Sequence, residues 1–274
     1  MFYEKQLIGT GRTCEVYAWE QDRVLKLLLP DAPQEWADIE AGIGHDVMDA
    51  GLPVPFFGEV MEADGRRGFI QERLSAPSML ELLGKQPWQV SRLARLLAKL
   101  QTQVHACPAP ATWLDQRCWL RKDIEKNELI PHDLKAKVIA VLDSLPDGNQ
   151  MCHGDFHPGN IVMTSRGPLI IDWLTATRGH PLSDVARSVV LMSVGQPPPG
   201  TPGLWLIELV RKTLLNTYTK TYFRLSSKEY EQFPAWRAVN AAAFLLHSLP
   251  EERPLLFSMI DAGFADTQED GGKL

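Results

Sequence analysis

The stretch HGDFHPGN, residues 153–160, gathers two histidines, an aspartate and an asparagine between apolar segments of the chain. In a strand, every second side chain points to the same face, so His153, Asp155 and His157 would lie on one face and could bind zinc. The Pro-Gly pair at 158–159 indicates a turn instead, and a purely structural polar loop would also fit it. The role of this segment therefore depends on the residues at fixed distances from it.

A further aspartate follows the next apolar segment. Asp172 comes directly after PLII, residues 168–171, and forms a set with Asp155 and Asn160. Phosphoryl transfer needs a group that positions the attacking hydroxyl, and oxygen ligands for the Mg²⁺ ion on the nucleotide phosphates. Magnesium prefers carboxylate and amide oxygens to imidazole. Asp155 as the catalytic residue, with Asn160 and Asp172 as metal ligands, supplies this chemistry.

Two motifs in this order resemble a known family. The motifs are HGDFHPGN and, at residues 170–186, IIDWLTATRGHPLSDVA. They resemble motifs of the aminoglycoside phosphotransferase and choline kinase superfamily, whose members are small-molecule kinases with a protein-kinase-like fold. In that family the loop reads H-G-D-x-H-x-x-N, an aromatic residue follows the metal-binding aspartate, and a D-[LV]-A segment comes later. Trp173 after Asp172, and DVA at 184–186, match both of these features.

The resemblance implies a fold and further roles around the loop. The fold would be α+β, with a small β-rich N-terminal lobe that contains one helix and a larger, mostly helical C-terminal lobe. His153 would be structural, and His157 would either contact phosphate or shape the loop. Asp184 would hydrogen-bond to the loop backbone, although Ser183 or Asp184 also suits the N-cap of the next helix.

The N-terminal region carries a second resemblance. GTGRTCEVY, residues 9–17, is similar to the loop G-x-G-x-x-G-x-V that covers nucleotide phosphates in kinases. Gly9 and Gly11 are in place, and Cys14 stands where the third glycine would fall. A Gly-rich turn of this kind also joins many ordinary hairpins, so its interpretation depends on the residues after it.

Lys26, in the apolar segment RVLKLL, comes after this loop. Taken alone, it would be a surface lysine with its stem along apolar neighbours. After a Gly-rich loop, it matches the lysine that contacts the α- and β-phosphates. Glu40, on the next predicted helix, would orient Lys26 through an ion pair, and Glu35 is the alternative partner.

A change of composition near residues 71–76 predicts the boundary between the lobes. The resemblance implies that FIQERL, residues 69–74, is the hinge, where the carbonyl of Gln71 and the N–H of Arg73 would contact the nucleotide base. The predicted lobes of this single kinase-like domain are residues 1–74 for nucleotide binding and 75–274 for catalysis and substrate binding.

Periodicity and turn signals predict the elements. Residues 1–29 are predicted as strands, 33–50 as a helix despite Gly42 and Gly44, and 54–74 as a hairpin that turns at ADGRRG. Helices are predicted over 87–106 and 133–148, and mostly helix from Pro181 onward, with a loop at 195–203. The aromatic residues of these last helices are predicted to be core: Trp205, Tyr218, Tyr222, Phe223 and Trp236.

Composition limits the classes of partner. The 274 residues carry a formal net charge of −6, which argues against a nucleic-acid surface. The four cysteines are far apart, so we expect reduced thiols in a cytoplasmic protein. The N-terminus lacks the pattern of a signal peptide, and no apolar run is long enough to span a membrane.

These observations predict a kinase that transfers the γ-phosphate of ATP, or GTP, to the hydroxyl of a small molecule with the help of Mg²⁺. The main alternative is a pseudokinase, which binds nucleotide without turnover; intact Lys26, Asp155, Asn160 and Asp172 argue against it. A protein-serine kinase is less consistent with the sequence, because the segment after Asp172 is too short to bind a peptide and contains no APE-like motif.

Overall fold

A computed structural model describes residues 6–20, 22–195, 201, 203–226 and 231–265. The chain forms two compact units, one of Met1–Leu82 with Pro158–Thr175 and the other of Leu83–His157 with Ala176–Leu274. These units are defined by which parts of the chain pack together. Their bounds differ from those of the lobes predicted from the sequence, residues 1–74 and 75–274, and the two lobes stay a prediction. Part of the predicted N-terminal β region and most of the predicted loop at 195–203 lie outside the described residues.

The first unit contains an antiparallel five-stranded sheet in the order β1-β2-β3-β5-β4. Its strands are β1 (Leu7–Thr10), β2 (Cys14–Glu20), β3 (Arg23–Leu28), β4 (Phe57–Ala63) and β5 (Arg66–Glu72). The predicted turn between β4 and β5 is present, with Asp64 at φ 52° and Gly65 at φ 71°. Aspartate and glycine tolerate this left-handed backbone, which suits a tight hairpin.

One helix, α1 (Trp36–Asp49), packs against this sheet. Its buried face includes Ala37, Ala41 and Val47, which recur at helical spacing. Gly44 lies on the same face, directly against the ring of Phe57 at the start of β4. The glycine that weakened the helical pattern in the sequence therefore permits close contact between helix and sheet.

We expect opposite effects from alanine at the two glycines of α1. A Cβ on Gly44 would overlap the ring of Phe57, which is 1% exposed, whereas a Cβ on Gly42 would meet nothing. Gly44→Ala should lower the free energy of unfolding by about 1–3 kcal/mol through overpacking. Gly42→Ala is the matched control and should raise it by up to about 1 kcal/mol through helix propensity. Urea denaturation checks both, and equal effects would contradict this packing.

A second hairpin belongs to the first unit. It consists of β7 (Ile161–Thr164) and β8 (Gly167–Ile170), paired from Ile161 opposite Ile170 to Thr164 opposite Gly167. An isolated bridge between Ser78 and Val162, and a hydrogen bond from the Ile170 N–H to the Pro53 carbonyl (2.8 Å), attach it to the rest of the unit. The two residues that flank this hairpin, Asn160 and Asp172, are thereby brought into the unit that contains Lys26.

The remaining chain is mostly helical. Its helices are α2 (Met79–Lys85, which runs across the boundary between the units), α3 (Val90–Val104), α4 (Gln116–Lys126), α5 (His132–Ser144), α6 (Pro181–Val194), α7 (Leu204–Ser226), α8 (Phe233–Phe244) and α9 (Arg253–Ala265). A short ladder joins β6 (Gln150–Cys152) to β9 (Thr177–Gly179). The predicted apolar stripe of α3 is buried at Leu93, Leu97, Leu100 and Val104, and α3 packs against α7.

The prediction that the C-terminal aromatic residues are core is wrong for one of them. Tyr218, Tyr222 and Trp236 are buried, and Phe223 is half-buried, but Trp205 is 73% exposed. The buried residues of α7 all lie in its second half, from Leu214 onward, so its first turns have an exposed surface that spacing alone did not reveal. Among the described residues, no helix combines the length and hydrophobicity needed to cross a membrane.

Candidate active site

A largely buried ion pair joins the sheet and the helix of the first unit. Nζ of Lys26, on β3, donates to Oε1 of Glu40, on α1, over 2.6 Å. Glu40 is 4% exposed, and burial raises the pKa of its carboxyl, an effect that Lys26 only partly offsets. Burial also opposes charge on Lys26, but the attraction of Glu40, together with Cys14 and Asp172, outweighs it and raises the pKa of the ammonium. Glu35, the alternative partner, is exposed just before the first turn of α1.

Asp172 belongs to the same electrostatic cluster. Its charge acts on Lys26, Glu40 and Cys14, which are all residues of the first unit. The backbone of Asp172 is left-handed, at φ 65°, and Asp64 is the only other described non-glycine residue with a positive φ. Such a backbone is uncommon outside glycine and costs on the order of 1–3 kcal/mol where the surroundings enforce it. The structure therefore holds Asp172 in an unusual backbone conformation, and its charge acts on a largely buried lysine.

Asn160 is brought close to Asp172 by the hairpin that lies between them in the chain. The N–H of Ile171 donates to the backbone carbonyl of Asn160 over 3.0 Å, which extends the pairing of β7 and β8 by one step. Asn160 is 8% exposed. The two predicted metal ligands thus flank one hairpin of one unit, with an amide and a carboxylate as the oxygen donors.

The predicted phosphate loop is the connection between β1 and β2. Gly9 lies opposite Val16 in the ladder, and the N–H of Gly11 donates to the carbonyl of Cys14 over 2.7 Å. Cys14 is buried at the third-glycine position, and burial raises the pKa of its thiol. The loop is a short turn of the kind predicted, and its thiol stays protonated at neutral pH.

One of the two predicted base contacts is already used within the first unit. The N–H of Arg73 donates to the carbonyl of Asp22 over 2.9 Å, so this donor is already used within the first unit. Gln71, by contrast, is 8% exposed, and its Nε2 has no hydrogen-bond partner among the described residues. An unused donor therefore lies on the Gln71 side chain, whereas only the backbone at this position was predicted to matter.

The second unit holds residues 153–157, the first part of the loop that begins at His153. His153 is fully buried, and its Nδ1 accepts a hydrogen bond from the N–H of Asp155 over 3.2 Å. Gly154 has φ 78°, a backbone conformation that favours glycine. The Oδ2 atom of Asp155 lies 3.5 Å from Nε2 of His157, and both side chains are about one third exposed. Asp155 is thus fixed by its backbone and partly open at its carboxylate.

Asp184 anchors this loop from the first turn of α6. Its Oδ1 accepts from the N–H of Gly154 over 2.7 Å, while its Oδ2 accepts from Nε2 of Gln101 over 2.8 Å and lies 2.9 Å from Nε2 of His105. Burial opposes charge on Asp184, but the hydrogen bonds from His105, Gly154 and Gln101 prevail and hold its pKa below the ordinary value. A carboxylate can only accept hydrogen bonds, so Nε2 of His105 carries the proton that faces Asp184. In the neutral ring, Nδ1 of His105 then accepts a hydrogen bond from the Tyr222 hydroxyl over 2.6 Å.

Sequence reasoning missed part of this network. Gln101 is a polar residue on the buried face of α3, and His105, which is also buried, directly follows the last residue of that helix. A polar residue that continues an apolar stripe was the signal that could have identified both. The N-cap of α6 is His180, whose Nδ1 accepts from the N–H of Leu182 over 3.3 Å, and not Ser183 or Asp184. Asp184 is therefore free of a capping role and binds the loop instead.

The zinc alternative for the loop finds no support in the geometry. Within the described ranges, no group of three or more His, Cys, Asp or Glu side chains is arranged to hold a metal ion. The buried His153 uses Nδ1 to accept from the backbone, which makes it a structural residue of the loop. An amide and a carboxylate around the hairpin remain the oxygen donors suited to Mg²⁺.

Solved structures share this fold. A thermostable mutant of the aminoglycoside phosphotransferase APH(4)-Ia, in a ternary complex with ADP and hygromycin B, matches 94% of this chain and 92% of its own (TM-score 0.65, 14% identity). A choline/ethanolamine kinase family protein from Mesorhizobium loti matches 98% and 88% (TM-score 0.57, 17% identity). Amicoumacin kinase hAmiN, with AMP-PNP, Ca²⁺ and Ami, matches 97% and 90% (TM-score 0.62, 12% identity). The predicted protein-kinase-like α+β fold is confirmed.

The family is shown by the sequence itself. Residues 9–225 match the model of the phosphotransferase enzyme family named APH, which is most of the chain. This protein belongs to that family, as the loop and the later DVA segment had indicated. No curated protein matches the chain.

Proposed function

We propose that this protein transfers the γ-phosphoryl group of ATP, or of GTP, to a hydroxyl group of a small molecule, with Mg²⁺ bound to the nucleotide. The observation that carries this proposal is the largely buried Lys26–Glu40 ion pair, on which the charge of Asp172 also acts. A buried ion pair is a poor device for stability, because desolvation offsets much of the attraction. Perturbed ionisable groups of this kind cluster at functional sites, which favours a nucleotide-binding role.

In this proposal the first unit binds the nucleotide. Lys26, oriented by Glu40, contacts the α- and β-phosphates, and the turn with Gly9 and Gly11 covers them. The unpaired side-chain amide of Gln71 supplies a donor toward the base. Phosphate oxygens are anionic acceptors, so a lysine oriented by a carboxylate suits them as a donor.

Asn160 and Asp172 fit a magnesium ion by the chemistry of their side chains. Mg²⁺ takes one or two protein oxygen ligands together with substrate phosphates, and an amide and a carboxylate flank the hairpin of the first unit. When bound, the ion would offset the negative charge on the transferring phosphoryl group. Asp172 also has a left-handed backbone, and backbone conformations of this uncommon kind cluster at functional sites.

Asp155 acts on the acceptor in this proposal. Its carboxylate accepts or steers the proton of the attacking hydroxyl, and His157, 3.5 Å from it, contacts phosphate or shapes the loop. Most of the rate enhancement then comes from positioning and electrostatics. Small-molecule hydroxyl acceptors are supported by the similarity in fold to proteins solved with hygromycin B or Ami bound.

Calorimetric titration with ATP and with GTP, each with and without Mg²⁺, tests the nucleotide half of the proposal. We expect one of the nucleotides to bind the wild type more tightly with Mg²⁺. In Asp172→Ala the Mg²⁺-dependent affinity should fall by at least about 10-fold, because one metal ligand is lost. Asp64→Ala removes the other left-handed aspartate, in the exposed turn between β4 and β5, and serves as the matched control with unchanged binding.

Two results would contradict the proposal. If neither nucleotide bound the wild type, the first unit would have no nucleotide role. If nucleotide bound but an acceptor screen that monitors nucleotide turnover found none, the protein would be a nucleotide-binding module without catalysis. Equal losses in Asp172→Ala and Asp64→Ala would instead point to a general effect of the backbone.

A further inference from the structure

Arg187 is a buried cation that the proposed reaction does not use. It lies on α6 and is 7% exposed. The guanidinium group is effectively always protonated, and buried charges in proteins are normally paired. Among the described residues, Arg187 makes no ion pair with a carboxylate, and its Nη1 has no hydrogen-bond partner. Because a buried charge without an ion-pair partner costs desolvation energy, stability alone does not explain why the protein has an arginine at this position.

The contacts of Arg187 lead to the loop before Asp155. Its Nε donates to the carbonyl of Gly154 over 3.2 Å. Its guanidinium lies over two aromatic rings, at 4.8 Å from the centre of Trp119 on α4 and at 5.1 Å from that of Phe244 on α8. Stacking on two rings restricts a planar guanidinium and so fixes the donor that the loop receives.

The hydrogen bonds around Gly154 hold one peptide group at both of its ends. The carbonyl of Gly154 and the N–H of Asp155 belong to the same planar peptide. Arg187 binds that carbonyl, and Nδ1 of His153 accepts from that N–H. Asp184, one turn earlier on α6 than Arg187, also accepts from the N–H of Gly154. The peptide that leads into Asp155 therefore has little freedom to rotate.

Charge supports the same arrangement. Burial lowers the pKa of Arg187, and the carboxylates of Asp155, Asp123 and Asp184, in that order, oppose the change. These carboxylates balance the cation at longer range than an ion pair, since none of them bonds to it directly. Asp155 is the first among them, so its carboxylate favours the charged guanidinium more than the other two do.

We propose that Arg187 is a positioning residue, which fixes the Gly154–Asp155 peptide and so presents the carboxylate of Asp155 in a single orientation. This inference rests on the proposed function, because it assigns Arg187 to the reaction that Asp155 serves. A purely structural arginine would stabilise the unit without a specific effect on the loop or on turnover.

The test compares Arg187→Met and Arg187→Lys with Arg211→Met. Arg211 is a matched control, because it donates to the carbonyls of Ser193 (3.3 Å) and Gly195 at the other end of α6. Amide hydrogen exchange of the loop is measured first, since it needs no substrate. Turnover of Mg²⁺–ATP is measured next, with water or a screened acceptor, and kcat and the nucleotide KM are determined separately.

In Arg187→Met we expect the Asp155 amide to exchange on the order of 10-fold faster, because the peptide loses its carbonyl contact. We expect kcat to fall on the order of 100-fold while the nucleotide KM stays within about 2-fold, since misplacement of a reacting group acts on the rate. Arg187→Lys should recover part of both effects. Arg211→Met should change neither, even if it lowers thermal stability.

The outcomes separate the two proposals. Unchanged loop exchange in Arg187→Met, or equal changes in Arg187→Met and Arg211→Met, would overturn the positioning role. A kcat of Arg187→Met within about 3-fold of wild type would overturn it as well. If the wild type turned over no nucleotide while loop exchange still rose in Arg187→Met alone, the proposed function would fail but the anchoring of the peptide would stand.

Discussion

Asp155→Asn should reduce kcat by at least about 1000-fold, because an amide can neither accept the hydroxyl proton nor supply the negative charge of the carboxylate. Asparagine is close in shape to aspartate, so the loop contacts through the Asp155 N–H and the Gly154 backbone should persist. The affinity for Mg²⁺–nucleotide should change by less than about 3-fold, since the proposed nucleotide ligands are other residues. Steady-state kinetics and calorimetry on the same preparation check both numbers.

The control for this variant is Asp147→Asn. Asp147 is an acid of the second unit with an 87% exposed side chain, and it pairs with Arg117. An exposed ion pair contributes little to stability, so we expect wild-type kinetics. If Asp155→Asn retained more than about a tenth of the wild-type kcat, Asp155 would not be the residue that accepts the proton.

Asp184→Ala should lower the free energy of unfolding by about 3–5 kcal/mol, the largest effect on stability that we expect. The substitution leaves three donors without their acceptor, namely the N–H of Gly154, Nε2 of Gln101 and Nε2 of His105. Unsatisfied buried donors carry the full cost of desolvation. Urea denaturation measures the loss, and Asp38→Ala, which removes an exposed ion pair with Arg67, should cost less than about 1 kcal/mol.

The effect of Asp184 should depend on pH in a defined direction. Its pKa in the folded protein is below the ordinary value of 3.8, so the unfolded chain binds a proton more readily. The stabilisation is therefore complete above pH 3.8 and is lost as the pH falls below it. The difference between wild type and Asp184→Ala should narrow on acidification, and a constant difference down to about pH 2 to 3 would show that Asp184 is not held as a carboxylate.

Local patterns in the sequence were sufficient for much of the site. The spacing of Asp155, Asn160 and Asp172 predicted the types of ligand, and the order of strand and helix placed Lys26 and Glu40 on neighbouring elements. The structure shows these two side chains in contact. Sequence patterns can predict such a site because its residue types stand at short, fixed separations along the chain.

Other features depend on how the elements pack. His105 and Gln101 precede Asp184 by a long stretch of sequence, and only the packing of α3 and α6 against the loop brings the three together. Trp205 has the spacing of a core residue, yet no described element covers it. In the sequence, Gly44 lowers the helix propensity of its segment, although the absence of a side chain there is what allows α1 to contact Phe57.

The sequence by itself determined the family, the fold class and the set of residues proposed for catalysis and metal binding, because these are encoded in short motifs and in periodic patterns. Only the tertiary structure decided that Asp184 binds the loop without capping its helix, that the N–H of Arg73 is already used, and that Arg187 holds the peptide before Asp155. The physical reason is that a hydrogen bond or a buried charge is satisfied by whichever group packing brings within reach, and distance along the chain does not specify that group.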